Sequence, residues 1–204
     1  MIAIKLGVLG STRGTDLQAV IDAIDRQELN ASVKVVISNR KKAYILERAR
    51  NHGIDAVFIS HKEKVREEFD AEMSGVLEAR GVELILLIGF MRILSGWFCE
   101  KWRNRIMNVH PSLLPAFAGG MDMNVHEEVL KARAKETGCT IHFVTEDLDA
   151  GPIVVQKTCS VEPDETPESL KEKVQALEGK AFVEAIQLFQ EEKLSALYGQ
   201  PRAL

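Results

Sequence analysis

The chain is short of everything that would direct it to a polyanion, an oxidising compartment or a bilayer. Lys and Arg total 26 against 30 Asp and Glu, a formal net charge of −4. No positive field is present to gather nucleic acid. There are 3 cysteines, Cys99, Cys139 and Cys159. That odd number, with no C-x-x-C spacing, speaks against a disulfide framework and against a zinc site. Each lies among apolar neighbours and is expected to be a small buried hydrophobe. No apolar run approaches the ~18 residues of a membrane span. Residues Met1 to Gly10 are apolar but lack a basic lead and enter a glycine-rich turn. They read as a strand, not a signal peptide. His52, His61, His126 and His142 are scattered. None has metal-ligand spacing, so they are expected to be structural or surface residues, with no metal in the site. No internal repeat, low-complexity tract or linker interrupts the chain. These absences lead to the expectation of a single cytoplasmic domain covering residues 1–204.

What is present is a hydrophobic content of 46%, enough for a sizeable core. Apolar runs alternate with amphipathic stretches, which predicts an α/β fold: an open, mostly parallel, Rossmann-like sheet flanked by helices. Strands are expected at Ile2–Leu9, Val33–Ser38, Ala56–Ile59, Leu84–Ile88 and around Asn108–His110. Helices are expected at Leu17–Arg26, Ala43–His52, Lys62–Arg80, Ser95–Trp102, Asn124–Arg133 and Pro167–Phe189. Cys139–Val144 and Ile153–Lys157 are separated by a tight turn, so these strands toward the C-terminal part are expected to be antiparallel. Ligands of open parallel sheets bind beyond the carboxyl ends of the strands. Three loops leave those ends, after Leu9, after Ile88 and at His110.

The segment Asn108-Val109-His110-Pro111-Ser112-Leu113-Leu114-Pro115 closes one of these strands. Residues two apart on a strand share a face, so Asn108 and His110 face one pocket while Met107 and Val109 turn away. Pro111 keeps His110 extended. An amide donor beside a titratable imidazole suits acid–base chemistry on a carbonyl. The loop Thr145-Glu146-Asp147-Leu148-Asp149-Ala150-Gly151-Pro152 holds three acids, and Leu148 between two of them suggests that part of the loop points inward. One inward carboxylate would orient and charge His110. Gly10-Ser11-Thr12-Arg13-Gly14-Thr15-Asp16 lies between the first strand and first helix. It has no G-K-[ST] and fits the dinucleotide fingerprint poorly. It suits an anion at a helix start, and equally a plain turn with Asp16 as the helix cap.

The Asn108–Pro115 string, His142-Phe143-Val144-Thr145, Leu148-Asp149-Ala150-Gly151-Pro152 and Gly89-Phe90-Met91-Arg92-Ile93-Leu94-Ser95 together resemble the folate-dependent formyltransferase family. The similarity runs from about residue 2 to about 190 and favours the branch that formylates glycinamide ribonucleotide. The resemblance implies a catalytic set of Asn108, His110 and Asp149. It implies contacts to the ribonucleotide from Gly14, Thr15, Asp16, Arg66, Gln175 and Glu178. It assigns 10-formyltetrahydrofolate, as cosubstrate, to Met91, Arg92, Ile93, Leu94, Val144, Thr145, Asp147 and Asp149. Leu87 and Phe98 are further candidate walls, and Gly119-Gly120-Met121-Asp122-Met123 is a candidate flap. A nucleotide half is expected at about 1–100, and a folate and catalytic half at about 101–190. The partners implied are small molecules, with no nucleic acid and no membrane, in a monomer or homodimer. Two positions depart from the family: Asp16 stands where Asn is usual, and Gly179 follows Glu178 where His is frequent. Alternatives are a formyltetrahydrofolate hydrolase, which carries an N-terminal regulatory domain not expected here, and a catalytically silent folate-binding module.

Overall fold

The computed structural model describes residues 3–120, 123–194 and 199. Its strands are β1 (Ile4–Gly10), β2 (Ala31–Ser38), β3 (Asp55–Phe58), β4 (Leu84–Ile88), β5 (Ile106–His110), β6 (Glu136–Phe143) and β7 (Ile153–Ser160). Its helices are α1 (Thr15–Asp25), α2 (Tyr44–Asn51), α3 (Arg66–Ala79), α4 (Gly96–Lys101), α5 (Met123–Lys131) and α6 (Pro167–Gln190). One sheet of seven strands runs in the order β3-β2-β1-β4-β5-β6-β7. Pairing is parallel from β3 to β5 and antiparallel from β5 to β7.

The parallel strands are apolar throughout because both of their faces are covered. Leu6, Val8, Leu84, Leu86 and Met107 join Leu17 and Val20 of α1 and Phe182 and Ile186 of α6 in one core. Leu9, Val35, Ile85, Leu87 and Ile106 meet Phe69 and Met73 of α3 and Phe98 of α4 in the other. Leu87 and Phe98 are therefore plain core. The long charged helix starts later than expected, at Arg66, because Glu63 takes a left-handed backbone (φ 61°) that no helix continues. The last two strands are longer than expected, since Glu136–Gly138 and Thr158–Ser160 pair with each other beyond the apolar run. Helix α6 begins as its sequence suggests: Thr166 accepts from Ser169 N at 3.2 Å in a capping box, and Pro167 follows. Of the candidate flap, residues Met121 and Asp122 lie outside the described part. Among the described residues, no helix is long and apolar enough to cross a membrane.

Candidate active site

Asn108 and His110 end β5 and point to the face opposite Met107 and Val109, both of which pack into the α1–α6 core. The acidic loop brings one carboxylate to them. Asp149 Oδ2 lies 3.3 Å from His110 Nδ1, and Asp149 Oδ1 lies 3.6 Å from His142 Nε2. Its side chain is 7% exposed and its backbone is left-handed (φ 53°). Leu148 is 58% exposed, and Asp149 is the inward carboxylate of the loop. Gly151 makes this possible, because a Cβ there would meet the Phe143 carbonyl oxygen at 1.8 Å. The loop is thus folded down on the end of β6.

His142 sits on β6 directly opposite Asn108. Its Nδ1 lies 2.9 Å from the Phe143 carbonyl, and its Nε2 lies 3.1 Å from Asn108 Nδ2. A carbonyl only accepts, so Nδ1 carries the proton and Nε2 accepts from the amide. Burial holds this imidazole below its ordinary range, against the opposing pull of the Phe143 hydrogen bond and of Asp149. A neutral His142 fixes which way the Asn108 amide faces and leaves its second N–H for a ligand. Of the two roles expected for His142, structural or surface, the structure shows the first: it is 2% exposed, beside Asn108 and Asp149. His110 Nε2 donates to the Phe117 carbonyl at 3.0 Å, and Gly119 N donates to Asp149 Oδ2 at 2.9 Å. The turn after His110 is pinned by Thr140, whose Oγ1 donates to Ser112 O at 2.7 Å and accepts from Leu114 N at 3.0 Å.

The loop after β1 is tied to two others. Ser11 Oγ donates to Asn39 Oδ1 at 2.6 Å and accepts from Met91 N at 2.9 Å, while Ser11 N donates to Gly89 O at 3.0 Å. Gly14, not Asp16, is the α1 N-cap, with φ 70°, and a Cβ there would lie 2.4 Å from Ile45. Gln175 Nε2 of α6 donates to Thr15 Oγ1 at 2.7 Å. Asp16 is buried, which pushes its carboxyl up to about 7. Arg66 is exposed at the start of α3, where its charge acts on Asp70. On the far side of the site Ile93 is 55% exposed and Leu94 is buried. Arg92 turns back over the Phe69 ring at 5.5 Å and does not extend outward. Cys99 Sγ of α4 reaches the Thr145 carbonyl at 3.5 Å, and Thr145 Oγ1 donates to Asp147 O at 3.2 Å. Val144 is half-buried against the α3–α4 core, with Asp147 exposed.

A profile of the family described as formyl transferase matches residues 4–186. The chain belongs to the formyl transferase family. It is 45% identical over 186 residues to the trifunctional purine biosynthetic protein adenosine-3 of Gallus gallus, covering 91% of this chain. It spans only 18% of that longer protein. It is 36% identical to the phosphoribosylglycinamide formyltransferase of Haemophilus influenzae, over 93% of this chain and 89% of the relative. The crystal structure of glycinamide ribonucleotide transformylase 1 from Symbiobacterium toebii superposes with a TM-score of 0.88 at 42% identity, covering 93% of this chain and 88% of that one.

Within this formyl transferase, sequence reasoning missed three supporting residues: His142, Asn39 and Thr140. A period-two reading of β6 would have put His142 on a face, but not opposite Asn108. That register, Asn108 with His142 and His110 with Thr140, is a pairing between distant segments. The cysteines behave as expected at two positions, Cys99 and Cys139 being buried, while Cys159 is half-buried.

Proposed function

We propose that this formyl transferase moves the formyl group of 10-formyltetrahydrofolate to the primary amine of glycinamide ribonucleotide, a step of de novo purine synthesis. The observation that carries the reading is the convergence of Asn108, His110 and Asp149 at the carboxyl ends of β5 and β6. The amine nitrogen attacks the formyl carbon, and the carbonyl oxygen takes the electron pair. The free N–H of Asn108 donates to that oxyanion, held in place by neutral His142. His110, oriented by Asp149, donates to the same oxygen or passes the amine proton to the leaving folate nitrogen. The carbon–nitrogen bond to folate then breaks, releasing tetrahydrofolate and the formylated amide.

Gly14, Thr15, Asp16, Gln175 and Glu178 form the ribonucleotide side, at the N-terminus of α1, where backbone N–H groups favour a phosphate. Arg66 is assigned there on resemblance alone. Met91 to Leu94 and Val144 to Asp149 form the folate side, with exposed Ile93 as an apolar contact for the pterin. The 204 residues act as one unit in this reading. The hydrogen bond from Gln175 of α6 to Thr15 of α1 supports it, and makes a division near residue 100 only nominal. Loss of the formyl group from 10-formyltetrahydrofolate, followed with and without glycinamide ribonucleotide, tests the proposal. Turnover that needs the amine supports it. Release that proceeds equally without the amine would reassign the chain to formyl-folate hydrolysis.

A further inference from the structure

Helix α2 starts without a side-chain cap, so its first N–H groups need acceptors from elsewhere. One of them, Ile45 N, donates to the Thr12 carbonyl at 3.1 Å. Three residues on, Arg48 Nε donates to the next carbonyl of the loop, that of Arg13, at 3.3 Å. Its Nη1 donates to Gln18 Oε1 on α1 at 2.5 Å, and the same oxygen lies 3.2 Å from His52 Nε2. Gln18 Nε2 in turn donates to Asp22 Oδ1 at 2.7 Å, which fixes the way this amide faces. The Arg48 guanidinium also lies over the Tyr44 ring, 5.4 Å from its centre, one turn earlier on α2. Arg48 is thus held by loop, helix and ring together.

In a trans peptide the carbonyl and the following N–H point in opposite directions. Two successive carbonyls of the loop, those of Thr12 and Arg13, are drawn toward α2. The N–H groups of Arg13 and Gly14 must then face away from α2, and neither has an acceptor among the described residues. Gly14 lets the loop lie this close, since a Cβ there would strike Ile45 of α2 at 2.4 Å. Successive N–H groups that face one way suit an anion. Arg13 brings a second guanidinium to the same Tyr44 ring, 6.0 Å from its centre. We propose that Arg48 is a positioning residue for the ribonucleotide phosphate: by holding the Arg13 carbonyl back, it aims the Gly14 N–H at the anion. The inference rests on the function proposed above and deepens it. Arg48 does this without touching the substrate. The planar fork is essential, because a lysine ammonium is a point donor on a flexible stem and cannot brace Arg13 and Gln18 as one rigid group.

Wild type, Arg48→Ala and Arg48→Lys are compared on glycinamide ribonucleotide and on its phosphate-free ribonucleoside, with 10-formyltetrahydrofolate saturating. Arg48→Ala is expected to raise KM for the ribonucleotide about 10–100-fold, the worth of one hydrogen bond to a charged group. The effect should fall on this KM and not on kcat or the folate KM. Turnover of the ribonucleoside should not follow it, since that substrate offers the loop no anion. Arg48→Lys keeps the charge and loses the fork, so it should resemble Arg48→Ala. A lysine variant with the wild-type KM overturns the positioning role, and so does a ribonucleoside rate that falls in step with the ribonucleotide. Arg48→Lys also carries the test if Arg48→Ala does not fold. Calorimetric titration with inorganic phosphate needs neither substrate. Phosphate binding that weakens in both variants, in a protein without amine-dependent turnover, supports the positioning role and overturns only the proposed reaction. Amine-dependent turnover, with phosphate binding and ribonucleotide KM unchanged in both variants, overturns the positioning role and leaves the reaction standing.

Discussion

Asn108 and His142 face each other across the antiparallel β5–β6 pair, with amide nitrogen and imidazole Nε2 3.1 Å apart. The contact sets the direction of the amide without using both of its N–H groups. His142→Ala is expected to let the amide rotate and present its oxygen to the substrate about as often as its nitrogen. Loss of one such donor costs about 10²–10³-fold in kcat, and partial misorientation should cost less than Asn108→Ala. Single-turnover rates of both variants, with KM for each substrate, check the order.

Asp149 stands between two histidines, so its charge is felt on both sides. Asp149→Asn is expected to slow the chemical step by roughly 10²–10⁴-fold, the range for a positioned acid–base group, while both substrates still bind. The same change removes a charge that draws the His142 value upward against burial. His142 should therefore titrate lower in Asp149→Asn than in wild type. An NMR titration of the His142 ring reads this directly, and an unchanged or raised value would count against the geometry.

Bulk at Gly14 is not a selective probe of the phosphate loop. With φ 70° and Ile45 only 2.4 Å from where a Cβ would stand, Gly14→Val is expected to lower Tm and weaken both ligands. Gln175→Ala is the cleaner change, since it removes only a donor to Thr15. Its KM for glycinamide ribonucleotide should rise about 3–10-fold, the worth of one ordinary hydrogen bond, with the folate KM nearly unchanged. Steady-state kinetics with each substrate varied in turn would separate the two.

The parts of the site that were legible in the sequence are those governed by local rules. Asn108 and His110 share a face because strand side chains alternate, and Pro111 marks the strand end. The alternation of apolar runs and amphipathic stretches pointed to the parallel sheet, since residues such as Leu84 to Ile88 are buried on both faces. What stayed hidden depends on contacts between distant segments. Ser11 meets Asn39 only because β1 and β2 are neighbours in register. Gln175 reaches Thr15 only because Gly179 lets α6 close on α1. One carboxylate of the acidic loop was expected to turn inward, and Asp149 is that residue; its contact with His110 and the Gly119 N–H compensate its burial.

The left-handed backbone of Asp149 sets the fold and the chemistry against each other (φ 53°). A non-glycine residue in this region carries a strain of about 1 kcal/mol or more, which glycine would relieve. Yet the Asp149 carboxyl also accepts from the Gly119 N–H and lies between His110 and His142, and an orphaned buried donor costs about 1–3 kcal/mol. Asp149→Gly is thus expected to lose both the chemical step and some Tm, as thermal unfolding beside turnover would show. The strain at this one residue is the toll for a carboxylate that serves the loop's closure and the reaction together.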